Sequence, residues 1–250
     1  MPGIRTTPTV RWLLIINIAA FLVQLVGDHF LGTNILEMFS LVPSAIFDRH
    51  RYWQFLTYMF MHADMFHILF NMLILWMIGS ELEAQWGAKF FIKYYFVCGL
   101  SAGLFYLGVM SIFRGQASVP MMGSSGAVYG LLVAYGIIYS ERMMLFMMVF
   151  PMKAKHFVMI LAAIEFVSTV FYSNAGVANA AHLGGMIVGF GYLFLNAWLR
   201  IRAKRKKTGK RPKMRRSHLR LVVNNDVLKE FDDDDEEDDE DSDPGRPTFH

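Results

Sequence analysis

Six apolar stretches, divided by polar or charged links, set the plan of this chain: residues 10–26, 58–78, 90–110, 125–139, 156–172 and 179–199. A helix needs about 20 residues to cross a bilayer, so the pattern predicts an all-α polytopic membrane protein with six spans. Residues 1–9 form a short leading segment, 10–199 the membrane domain and 200–250 a tail of different composition. The connection over residues 28–57 mixes Leu, Phe and Trp with charges, which predicts a first loop embedded in the membrane interface. Residues 79–87, with Glu81 and Glu83, read as a polar turn, and residues 143–152 as a methionine-rich link broken by Pro151. A short Ser-Asn-Ala-Gly turn from Ser173 precedes the last span. No internal repeat of the kind common in transporters is evident.

Charge orients the spans. Residues 200–220 are dense in Arg and Lys, whereas residues 232–243 are almost wholly acidic. Neither run can bury a core, so the tail is predicted to be disordered. Directly after a span, the basic block reads as a topology signal and a contact for anionic lipid, not for nucleic acid. With the tail inside, the amino terminus, Arg5, Arg11, Lys89, Arg142, Lys153 and Lys155 also fall inside. Outer loops then keep Arg49, Arg51 and Arg114, which satisfies the positive-inside rule. Both termini are therefore expected in the cytoplasm, with the chain in a bacterial inner membrane. Composition agrees with a membrane chain: 54% of the 250 residues are hydrophobic, with 22 Phe and 18 Met. The first apolar run is long and lacks a small-residue cleavage site, so it reads as a retained span. A single cysteine, Cys98, excludes an intramolecular disulfide and a cysteine zinc cluster.

Polar residues inside spans are costly and point to function. Spans 2, 4 and 6 run in one direction and carry them at similar depth: His67 and Asn71, then Ser125, then His182. His67 and Asn71 are four residues apart and share a helix face, as do Ser125 and Tyr129. Gly126 with Gly130, and Gly185 with Gly189, give spans 4 and 6 small-residue strips suited to close approach. If the strips meet, Ser125 and His182 come within hydrogen-bonding reach. A serine hydroxyl needs a base to become a nucleophile, and His182 is the available one. A developing oxyanion needs donors, which the Ser125 N–H at a helix start, His67 and Asn71 offer. No carboxylate lies near these positions in sequence, so a Ser-His dyad is expected, not a triad. The glycine-serine stretch from Gly123 to Gly130, taken by itself, reads more readily as a packing motif than as a nucleophile's site. Glu165, alone in the middle of span 5, is expected to be hydrogen-bonded on that helix's inward face.

Gly123-Ser124-Ser125-Gly126 resembles the GxSG motif of the rhomboid family of intramembrane serine proteases, with a six-helix rhomboid-like bundle as its fold. Ala181-His182-Leu183-Gly184-Gly185 is similar to the family's histidine motif, and His67-Ile68-Leu69-Phe70-Asn71 to its HxxxN motif. The likeness covers residues 53–191, with the motifs in family order. It implies that Ser125 is the nucleophile, His182 the general base, and His67, Asn71 and the Ser125 N–H the oxyanion hole. It also implies an aromatic partner for the histidine in Tyr129, a structural histidine in His62 and a glutamate pinning inner helix ends in Glu83. Asn179, one turn before His182, reads either as a cap for span 6 or as a site residue. In the first loop Trp53 is followed by Gln54 where many relatives carry Arg, with Arg51 as the nearest substitute. The resemblance implies cleavage of transmembrane helices near the outer membrane face, with no metal and no cofactor. A competing class is a haem-carrying or transport bundle with His62, His67 and His182 as ligands, which leaves the serine opposite His182 unexplained. An inactive rhomboid-like protein is a third.

Overall fold

The computed structural model describes residues 5–112, 119–146, 150–171 and 176–208. Its contacts separate residues 1–203 from residues 204–250, and the first unit is a helical membrane bundle. The acidic block and the Ser173 turn lie outside the described residues, and of the basic block only its start, up to residue 208, lies within them.

Among the described residues, five helical stretches are long and apolar enough to cross a bilayer: Pro8–Phe30, Met65–Trp86, Ala88–Ile112, Ala154–Phe171 and Asn179–Lys204. The first is α1 (Pro8–Phe30). Three short helices, α2 (Ile35–Phe39), α3 (Pro43–Arg49) and α4 (Gln54–Thr57), follow in the first loop. Helix α5 (Met65–Ile74) continues through a π turn (Leu75–Gly79) into α6 (Ser80–Trp86). Then come α7 (Ala88–Ile112), α8 (Ser125–Ile138), α9 (Ala154–Phe171) and α10 (Gly176–Thr208).

Helix α8 is the exception in length. Its 14 residues span about 21 Å, short of a hydrocarbon core of about 30 Å. It is also buried nearly all round, from Ser125 through Gly136 with the exception of Tyr129, as expected of a helix that is apolar on every face. The neighbours that wrap it are drawn close by small residues. A Cβ on Gly130 would lie 2.5 Å from Cys98 Sγ of α7, and one on Gly136 would lie 2.8 Å from Val158 of α9.

Three parts of the chain differ from the hydropathy reading. Residues 58–64 are not part of the second span: a 3-10 turn (Tyr58–Phe60) ends there, and α5 starts afresh with Asp64 as its cap, accepting from the His67 N–H at 2.9 Å. Residues 79–87 are not a turn but helix, ending at Gly87 with φ +79°. Their carboxylates are polar for reasons other than a loop. Glu83 is buried and accepts from Thr7 Oγ1, the Thr9 N–H (3.0 Å) and the Val10 N–H (2.9 Å), capping the amino end of α1. Glu81 meets Arg142 and the Tyr135 hydroxyl. The methionine-rich link is also not a plain loop. Strands β1 (Met143–Phe146) and β2 (Phe150–Lys153) pair antiparallel; in a two-stranded ribbon both strands are edges, so Pro151 is tolerated. At its base Lys153 and Lys155 hold the exposed Glu141 carboxylate down at about 2.

Gln54 knits the first loop from within. It is fully buried, its Oε1 accepts from the Val42 N–H (3.1 Å) and its Nε2 donates to the Met38 carbonyl (3.1 Å).

The Glu83 clamp gives a stability prediction. An anion that satisfies orphan N–H groups at a helix start stabilises it by hydrogen bonding and by the helix dipole. Glu83→Ala is expected to destabilise the bundle by about 2 kcal/mol, read as a lower thermal midpoint in detergent, with Glu83→Gln recovering part of the loss.

Candidate active site

The residues before α8 are fixed before the helix begins. Leu41 and Met121 exchange backbone hydrogen bonds (2.8 and 2.9 Å), and the Gly123 N–H donates to the Tyr58 carbonyl (2.8 Å). Gly123 adopts φ +106°, a backbone conformation suited to glycine. A Cβ there would lie 2.7 Å from His67 Nε2 and 3.6 Å from Asn71 Nδ2. The sequence therefore turns sharply at Gly123 and lets α5 approach that turn directly. Ser125 is the first residue of α8, where N–H groups have no intrahelical acceptor.

Helix α10 reaches α8 backbone to backbone. A Cβ on Gly185 would stand 2.1 Å from the Gly126 carbonyl oxygen, and one on Gly189 would stand 3.2 Å from Gly130 Cα. The two glycine strips thus face one another. One turn above Gly185, His182 Nε2 lies 2.8 Å from Ser125 Oγ. The imidazole is stacked on the Tyr129 ring, 4.3 Å between centroids with 8° between planes. Ser124, by contrast, is fully buried and its hydroxyl faces the buried Tyr95 hydroxyl. Of the two serines, only Ser125 meets the histidine.

The other face of His182 differs from the sequence expectation. No carboxylate is close in sequence, yet Glu165 of α9 brings its Oε1 to 3.1 Å from His182 Nδ1. Glu165 is on the inward face of its helix, as expected for a carboxylate at that depth, and is 5% exposed. Among the described residues of α9, Ala154 and Glu165 are the buried ones. The signal for Glu165 was present in the sequence as a charge in an apolar run; its partner, 17 residues on and in another helix, was not.

Beside the Gly123 turn, α5 presents two polar side chains. His67 Nδ1 accepts from the Ala63 N–H (3.4 Å), which leaves the proton of neutral His67 on Nε2, beside Gly123. Asn71 is buried, and its Nδ2 has no hydrogen-bond partner among the described residues. An unsatisfied buried amide is costly unless something else comes to accept from it.

His62 touches this group through His67, whereas Asn179 makes no described hydrogen bond to it. His62 is fully buried, with its ring edge-on to His67 (5.2 Å between centroids) and to Phe21 (6.4 Å). Its backbone is clamped by Gln24 of α1, which donates to the His62 carbonyl (2.7 Å) and accepts from its N–H (3.2 Å). Gln24 escaped the sequence reading because one glutamine in a first span carries no periodic signal. Asn179 is no cap: α10 begins at Gly176, so Asn179 lies inside it. No described hydrogen bond joins it to Ser125, His182, His67 or Asn71. The haem arrangement is poorly served, because both ring nitrogens of His182 are already engaged, by Ser125 and by Glu165.

A short buried helix in a membrane bundle, with a serine at its start held against a histidine, defines a class of membrane-embedded helical proteins with a serine-histidine pair. The chain belongs to the rhomboid family, whose rhomboid domain matches residues 49–198. It is 31% identical over 140 residues to Rhomboid protein 1, mitochondrial, of Saccharomyces cerevisiae, covering 53% of this chain and 38% of that one. It is 25% identical over 184 residues to Rhomboid protease GluP of Bacillus subtilis (73% of this chain, 34% of that). With Rhomboid protease GlpG of Salmonella paratyphi A it shares 27% identity over 192 residues (75% and 63%). The matches thus span between about a third and two thirds of these relatives' length.

Proposed function

We propose that this protein is an intramembrane serine endopeptidase that cuts transmembrane helices of other membrane proteins. The observation that carries the reading is the 2.8 Å contact of His182 Nε2 with Ser125 Oγ, at the start of a helix, with the unsatisfied Asn71 amide beside Gly123 two residues earlier. The reading is supported by relatives named as rhomboid proteases.

The chemistry follows from the placement. Ser125 Oγ attacks the scissile carbonyl carbon as its proton passes to His182 Nε2, and the carbonyl π electrons become the oxyanion. The oxyanion meets the Ser125 N–H, His67 Nε2–H and Asn71 Nδ2–H, all fixed before the substrate arrives. Collapse breaks the C–N bond and His182 gives its proton to the leaving amine. Water, deprotonated at the same nitrogen, then releases the acyl group and returns Ser125 to its hydroxyl form. The stacked Tyr129 ring keeps the imidazole in the plane this exchange requires.

Because α8 is shorter than the hydrocarbon thickness, a helix anchored at the inner surface starts below the outer one. Ser125 then lies inside the membrane but near its outer face. A substrate helix must lose hydrogen bonds to expose its carbonyl there, which favours small residues at the cut. Positive charge at Arg5, Arg11 and the start of the tail supports cytoplasmic termini, with the tail's basic block against anionic lipid; a bacterial inner membrane is the setting we favour.

The test is incubation of the detergent-purified protein and its Ser125→Ala variant with a labelled single-span test substrate. Cleavage by the first alone is expected; equal cleavage by both would sink the mechanism. Removing one oxyanion donor by Asn71→Ala is expected to lower kcat by roughly 100- to 1,000-fold, with KM little changed, measured on the same substrate.

A further inference from the structure

We propose that Glu165 is a positioning residue for His182, so that Ser125 and His182 are the reacting end of a Ser-His-Glu arrangement assembled from three helices. The inference rests on the proteolytic reading of Ser125 and His182 and goes beyond it, since that reading requires a base but says nothing of what holds the base.

Three observations carry it. Glu165 Oε1 lies 3.1 Å from His182 Nδ1 while His182 Nε2 lies 2.8 Å from Ser125 Oγ, so one ring is spanned by carboxylate and hydroxyl on its two nitrogens. A carboxylate accepting at Nδ1 fixes the proton there and leaves Nε2 with its lone pair toward the serine; the other tautomer could take no proton from it. Second, Glu165 is 5% exposed in a helix whose described inner contacts are otherwise apolar or small. A buried carboxylate is expensive without a partner, and the side chains that meet this one are the histidine, at Oε1, and the Tyr129 hydroxyl. Third, the geometry is over-determined from the other side: the Tyr129 ring stacks on the imidazole, and the Tyr129 hydroxyl interacts electrostatically with the same carboxylate. The titratable groups facing Glu165 are thus His182 from α10 and Tyr129 from α8, and His182 is coupled in turn to His67 of α5. Lys155 and His156 lie in the first turn of α9, more than two turns away.

In the reaction Glu165 gains and loses no proton. When His182 Nε2 takes the Ser125 proton, the imidazolium donates from Nδ1 to the Glu165 carboxylate, which offsets its charge in a site with little water. The proton then leaves from Nε2 to the departing amine, and Glu165 again holds a neutral ring.

The experiment uses the full chain in detergent, with Glu165→Gln, Glu165→Asp and Glu165→Leu beside the parent and Ser125→Ala. Two readouts are taken across pH: cleavage of the single-span test substrate, and the rate of Ser125 labelling by a fluorophosphonate, which needs no peptide cleavage. Glu165→Gln preserves volume and removes the charge; its kcat is expected to fall on the order of 100-fold or more, with KM within about twofold. The acid limb of its labelling profile should differ from the parent's, because the imidazolium has lost its counter-ion. Glu165→Asp should recover part of the rate. If Glu165→Leu fails to fold, the Gln and Asp variants still decide. Parent-like rates and an unmoved acid limb in Glu165→Gln overturn the proposal. If no protein cleaves the substrate but labelling of Ser125 depends on Glu165 as described, the positioning role stands and the proteolytic reading falls.

Discussion

Gly185→Ala is expected to cost the protein most of its activity and part of its stability, although it adds only one methyl group. The added Cβ would stand 2.1 Å from the Gly126 carbonyl oxygen and 3.1 Å from Gly126 Cα, both backbone atoms. No side chain can rotate away to relieve that contact, so α10 must move off α8 by an ångström or more. His182 is carried on α10 one turn away, and its 2.8 Å contact with Ser125 lengthens accordingly. A misplacement of about 1 Å at a reacting pair costs on the order of 100-fold in rate, and overpacking a tight contact costs about 1–3 kcal/mol. The measurements are kcat on the single-span substrate and the thermal midpoint in detergent. Gly191→Ala is the matched control, since a Cβ there meets nothing within 4 Å; it should leave both unchanged. Equal behaviour of the two variants would show that the glycine contact does not set the site.

Ser125→Ala and His182→Ala are each expected to remove turnover by at least about 10,000-fold, and the double variant to do little further harm. Nucleophile and base act as one unit, so the loss of either leaves only the binding and electrostatic remainder. The fold should survive both changes. Ser125 is a small residue held by backbone contacts around it, and removal of its hydroxyl leaves no large cavity. Single-turnover rates for the three variants, beside the parent, measure the non-additivity directly. Additive losses would mean that serine and histidine act separately.

The parts of this molecule that were legible in the sequence are those written in local periodicity. The glycine strips at 126/130 and 185/189 gave the meeting of α8 and α10, and spacing of four put His67 with Asn71. Loss of legibility has a physical cause at each place. Glu81 and Glu83 read as a turn because polarity in a short stretch does not reveal that one carboxylate caps α1 and the other meets Arg142. The second span was placed too early because Tyr58 and Met59, apolar and fully buried, belong to a 3-10 turn that Asp64 separates from α5. The burial of α8 on nearly every face was not legible, because it depends on what wraps it. Glu165 shows the limit most plainly. Its discomfort was visible from one helix alone, whereas its partner emerges only when α9 and α10 are packed.

The central claim is that Ser125 is activated by His182 inside the membrane. Fluorophosphonate labelling of the purified full chain, followed by peptide mapping, tests it most directly. A single modified residue, Ser125, is expected, with labelling abolished in Ser125→Ala and strongly slowed in His182→Ala. Modification of Ser124 or of another site, or an undiminished rate in His182→Ala, would contradict it.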